Sequence, residues 1–95
     1  MRSESGERTK RYVLRLFVAG DAPNSRIARQ NLKRLGERVG EAEIVIEIVD
    51  VLVDPRAAIE HGVYLTPALQ IIEPGPSRFV YGNLSDEDAL DSTLV

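Results

Sequence analysis

Tyr12-Val-Leu-Arg-Leu-Phe-Val-Ala-Gly-Asp-Ala-Pro-Asn-Ser25 decides the fold of this chain. Leu14, Leu16 and Val18 alternate with Val13, Phe17 and Ala19, so both faces of the segment are apolar, as in an interior strand. Gly20 permits a sharp turn, and Asp21 is placed to cap the helix that follows. Pro23 suits the first helical turn, where its missing N–H costs nothing. A strand, a tight proline-bearing loop and a helix start are how a thioredoxin-like domain opens. Redox enzymes of that fold carry Cys-x-x-Cys in the loop. Here the four residues are Asp21-Ala22-Pro23-Asn24 and the chain has no cysteine, which excludes dithiol chemistry.

Working outward, residues 24–39 form a predicted helix, with Ala28, Leu32, Leu35 and Val39 as one buried stripe and Gly40 at its C-cap. Residues 43–52 form a second strand. Its density of β-branched residues, Ile44-Val45-Ile46 and then Ile48-Val49, predicts burial on much of both faces. Two strands joined by one helix make a right-handed βαβ unit with parallel strands. Asp54 and Pro55 start a short helix that Gly62 closes. After Thr66-Pro67 comes a strand over 68–72, then the Pro74-Gly75-Pro76 turn and an answering strand over 78–81. Gly82-Asn83 breaks that strand, and Ser85 with Asp88 opens a terminal helix. The order βαβαββα is that of a single α/β thioredoxin-like domain over residues 11–95, preceded by a polar tail, residues 1–10, read as disordered.

The 95 residues are 43% hydrophobic and 28% charged with a net charge of −3, ordinary for one soluble domain. No apolar run approaches the roughly 20 residues that span a bilayer, and the absence of cysteine fits a cytoplasmic protein. Arg26, Arg29, Lys33, Arg34 and Arg38 gather on the first helix. An acidic chain with no aromatic residues interleaved among those cations reads as a solvated helix face rather than a nucleic-acid surface, the dipole favouring cations towards its C-terminal end. His61 is the one histidine, at a helix end, so no histidine metal cluster forms. Asp21 reads as a cap and Asp50 as a strand-end residue, and Ser25 lacks a base. No catalytic, cofactor or metal site emerges. Gly20, Asp21, Pro23, Thr66, Pro67 and Gly82 carry structural roles, with Thr66-Pro67 at the place of the cis-proline of thioredoxin-like folds.

These segments, together with Val49-Asp50-Val51-Leu52, Asp54-Pro55, Leu65-Thr66-Pro67 and Tyr81-Gly82-Asn83-Leu84-Ser85, resemble the KaiB family of circadian-clock proteins over residues 11–88. The resemblance implies a non-enzymatic adaptor without a cofactor, which docks on the N-terminal ATPase ring of KaiC and regulates its phosphorylation cycle. KaiA is then sequestered, and the kinase SasA competes for the ring. It also implies a metamorphic protein whose binding-competent form is thioredoxin-like and monomeric, and whose resting form rearranges the C-terminal half and is commonly tetrameric. The β-favouring Phe79-Val80-Tyr81 and the proline turn before it favour the thioredoxin-like form. Val45 and Glu47, with the neighbouring first helix, are the expected partner contacts. Glu47 stands where the family carries a lysine, Ile27 and Phe79 where it carries basic residues. The alternative is a KaiB-like sensor or stress-response module for another signalling protein, such as a histidine kinase. A third reading, an enzyme using Asp21, is remote.

Overall fold

The computed structural model describes residues 11–38 and 43–86. The order is β1 (Arg11–Val18), α1 (Pro23–Arg38), β2 (Glu43–Asp50), α2 (Pro55–His61), β3 (Ala68–Glu73) and β4 (Arg78–Tyr81). The sheet order is β2-β1-β3-β4, with β2 parallel to β1, and with β3 antiparallel to β1 and to β4. This is the α/β thioredoxin-like arrangement. The N-terminal tail, Val39, Gly40 and the terminal helix expected after Ser85 lie outside the described residues.

Because strand side chains alternate, β1 feeds two cores. On one face Tyr12, Leu14, Leu16 and Val18 join Ala28, Leu32 and Leu35 of α1, with Leu69, Ile71 and Leu84 closing the cluster. The other face is shorter: Phe17 packs with Ala57 of α2, Val63 and Ala68, against Val49 and Phe79. The interior reading of β1 and the helical stripe of α1 therefore both match the packing.

β2 departs from expectation. It is an edge strand, and Val45, Ile46 and Ile48 are 41%, 42% and 50% exposed. β-branched density marked the strand correctly, but nothing in it distinguishes core from an apolar surface. The strand also ends at Asp50, because Val53 and Asp54 donate their N–H groups back to the Asp50 carbonyl and turn the chain towards α2.

α2 is capped as its sequence predicts. Asp54 Oδ1 accepts from the Ala57 N–H, Pro55 takes the first position, and Gly62 ends the helix in the left-handed region at φ +71°. In the β3–β4 hairpin, Arg78 Nη1 donates to the carbonyls of Pro74 and Pro76 at 2.7 and 3.0 Å, which ties the proline turn down.

Candidate functional site

The loop that would carry redox chemistry in a thioredoxin is held here by backbone-directed bonds. Gly20 turns at φ +53°. Ser25 is 1% exposed, and its Oγ accepts from the Ala19 N–H at 3.0 Å. The bond ties the hydroxyl oxygen to the backbone of the loop. Asp50 Oδ1 accepts from both the Gly20 and the Leu52 N–H groups at 3.0 Å, joining the turn after β1 to the loop after β2. Sequence reading placed Asp50 at a strand end but missed this tie, since Gly20 and Asp50 stand far apart in the chain.

Asp21 is not the helix cap. α1 starts at Pro23, so the cap position falls on Ala22, whose carbonyl accepts the Arg26 N–H at 3.0 Å. The Asp21 carboxylate instead lies 3.7 Å from Arg29 Nη1, largely in solvent. Pro23 occupies the first helical position, as expected.

Thr66-Pro67 is cis, with Pro67 buried and its carbonyl accepting the Gly82 N–H at 2.9 Å. Gly82 has φ +102°, a conformation that suits glycine, so two of the structural residues meet at the entry to β3 and the exit from β4. Beyond Gly82, Asn83 accepts from Asn31 Nδ2 through its carbonyl at 2.8 Å and donates its own Nδ2 to Asn24 Oδ1 at 3.3 Å. These bonds fasten the segment after β4 to α1, and neither was legible in the sequence.

Val45 and Glu47 share a face of β2 and are both exposed. Glu47 is not a free charge: its Oε1 lies 2.6 Å from Arg15 Nε on the neighbouring strand. Arg15 also donates to Gln70 Oε1 at 3.2 Å, and its Nη1 lies 3.4 Å from both ring nitrogens of His61. His61, expected as a solvated helix-end residue, is exposed but rests against this guanidinium and tilts over Phe17, ring centroids 5.6 Å apart. Ile27 is exposed on α1, whereas Phe79 is half-buried beside Phe17 and stacks on Tyr81. Three expected contact positions are thus surface residues, and Phe79 is in part a core residue.

Large apolar side chains are exposed around the ends of β2 and α2: Leu52 71%, Val53 81%, Ile59 81%, Tyr64 88% and Leu65 67%. On β2, Val45 is exposed on one face and Ile46 and Ile48 on the other. Exposed apolar side chains of this kind suit contact with protein.

The fold and this site define a thioredoxin-like domain without a thiol, its apolar residues turned outward on an edge strand. A family model, the KaiB domain, matches residues 15–94, and the chain belongs to the KaiB family of circadian-clock proteins. It is 42% identical over 79 residues to the circadian clock oscillator protein KaiB of Nostoc punctiforme, covering 83% of this chain and 76% of the relative. The KaiB of Trichodesmium erythraeum is 40% identical over the same shares of the two chains. Among solved structures, the N-terminal domain of Synechococcus elongatus SasA superposes with a TM-score of 0.73 at 23% identity, over 90% of this chain and 81% of that one. A Fasciola hepatica thioredoxin superposes at 0.69 and 23% identity, over 94% and 83%. These two likenesses speak for the fold.

Proposed function

We propose that this chain is a non-enzymatic cytoplasmic adaptor that docks on the N-terminal ATPase ring of a KaiC-type protein and regulates its phosphorylation cycle. KaiA and a SasA-like kinase are then indirect partners. The observation that carries the reading is the outward-facing apolar surface of β2 and the loops beside it, on a domain of the KaiB family. An edge strand that exposes Val45, Ile46 and Ile48 is a liability unless a partner covers it. Val45 and Glu47 are contacts, and α1 flanks them. The binding-competent form is the thioredoxin-like monomer, in exchange with a rearranged, tetrameric resting form.

Size-exclusion chromatography with light scattering tests this, run alone and with a KaiC N-terminal ring plus a slowly hydrolysed ATP analogue. Co-elution of a monomer with the ring is the expected result. A chain that never co-elutes overturns it.

Glu47 favours a second reading. An acid where the family carries a lysine reverses the charge offered to a partner, and charge reversal at an interface suppresses one partner in favour of another. On that reading the same surface serves another signalling protein, such as a histidine kinase.

A further inference from the structure

We infer that Arg15 and Glu47 together set which partner β2 accepts. Paired with each other, they select an uncharged, extended segment of a protein over one that brings a cation or an anion. This deepens the proposed function. It rests on β2 being a contact surface, but not on the ring being the partner.

By its letter alone Glu47 offers an anion at the sheet edge. The structure cancels that charge within the chain. Glu47 Oε1 lies 2.6 Å from Arg15 Nε, and the two residues stand opposite each other in the β1–β2 register. The Arg15 side chain is 23% exposed and that of Glu47 60%, so a partner meets the carboxylate before the guanidinium. Arg15 has other ties. Gln70 Oε1 accepts from its Nη1 at 3.2 Å, and a His61 ring nitrogen lies 3.4 Å from the same atom. Drawing the guanidinium towards a partner would break these contacts as well.

The pattern repeats along the strands. Arg11 stands opposite Glu43 at 3.9 Å and reaches Glu73 of β3 at 3.6 Å. Between the two charged pairs Val13 stands opposite Val45, which is exposed. On this face of β1 and β2 an apolar pair thus separates two ion pairs.

Covering the face removes water, and a buried charge without a counter-ion is strongly destabilising. For Glu47 the counter-ion is already present. A partner cation would give up its hydration for a carboxylate that Arg15 already satisfies, and a partner anion would lie against Glu47. An uncharged segment meets neither penalty, and its aliphatic side chains lie against Val45. An extended one suits β2, whose edge leaves backbone groups open.

The test is fluorescence anisotropy with three labelled peptides that share one soluble tail and alternate valine with serine, lysine or glutamate. The wild-type chain binds the serine peptide about tenfold tighter than the other two, with little dependence on salt. Arg15→Gln leaves Glu47 unpaired and shifts the preference to the lysine peptide. Glu47→Gln leaves Arg15 unpaired and shifts it to the glutamate peptide. The double variant carries neither charge and returns to the serine peptide, which a merely structural role would not produce. If Arg15→Gln unfolds by circular dichroism, Glu47→Gln, changed at an exposed position, gives the readout. The inference is overturned by three results: no peptide binding by the wild-type chain, a wild-type preference for a charged peptide, or a preference unmoved by the single variants. Co-elution with the ring is scored separately. Peptide selectivity without co-elution removes the ring reading alone, and co-elution without peptide binding removes this inference alone.

Discussion

Arg15 Nε lies 2.6 Å from Glu47 Oε1, directly across the parallel β1–β2 pair. The arginine is held on three sides, by Glu47, Gln70 and His61, so the carboxylate meets a preorganised cation. Arg11 and Glu43, two strand repeats away on the same face, approach to 3.9 Å in the same sense. Replacing Glu47 by lysine sets two cations opposite each other at the sheet edge. Solvent around Glu47 limits the effect, and a loss of about 1 kcal/mol is expected. A urea titration reads it as a lowered midpoint, with Glu47→Gln intermediate. Equal midpoints would show that the pair is slack.

Gly20 is constrained twice. Its φ of +53° is in the left-handed region, and a Cβ there would lie 3.2 Å from Leu52 Cδ1. Gly20→Ala is expected to cost about 1–2 kcal/mol, chiefly through the backbone. Leu52 is exposed and can move, so Leu52→Ala in the same chain should recover only the smaller, steric part. Thermal melts of the two single variants and the double variant separate the terms. Full recovery in the double variant would assign the whole cost to the clash.

Asp50 gives one carboxylate oxygen to two backbone donors, Gly20 and Leu52. Asp50→Ala leaves both N–H groups without that acceptor and should destabilise by about 2 kcal/mol. Asp50→Asn keeps an acceptor oxygen and should lose less. Amide hydrogen exchange at Gly20 and Leu52 is the sharper readout. Both amides should exchange faster in the alanine variant, and unchanged protection would mean that Asp50 is dispensable.

The residues that were legible in the sequence and those that were not differ in how far their partners lie along the chain. Gly20, Pro23, Asp54, Pro55 and Gly62 act within a few residues of themselves, and the turns and helix ends they mark fall where the sequence puts them. β1 was recognised as interior because both of its faces are apolar. β2 looks alike in composition, yet stands at the edge, since its apolar side chains serve a surface. The ties from Asp50 to Gly20, Glu47 to Arg15 and Asn83 to Asn31 join residues 30, 32 and 52 positions apart. Pattern within a window carries no trace of such pairs. Asp21 was misplaced for the opposite reason: its cap role turned on a shift of one residue, the cap position falling on Ala22.

Asn31 and Asn83 link α1 to the segment after β4, and any rearrangement of the C-terminal half must break that link. Asn31→Ala removes the 2.8 Å bond to the Asn83 carbonyl, which should cost about 1 kcal/mol in the thioredoxin-like form. If a rearranged form is in exchange with it, that cost shifts the populations towards the rearranged form. Two sets of amide signals in NMR spectra, changing in ratio with the substitution, are the expected result. A single set in both proteins would place the alternative form beyond reach of this bond.

Val45 offers the cleanest separation of docking from folding. It lies on the edge strand and is 41% exposed, so an aspartate there meets water in the free protein and should change stability by less than about 1 kcal/mol. Docked against a partner, the same carboxylate is buried with no cation supplied for it, and Glu47 two residues on adds a like charge. Val45→Asp should therefore abolish co-elution with a KaiC-type ring while the melting curve stays near that of the wild type. Leu32→Ala, in the core over the opposite face, should do the reverse, lowering the melting temperature while the folded fraction still docks. Full ring binding by Val45→Asp would move the contact off β2, towards the exposed residues around α2 such as Ile59 and Tyr64.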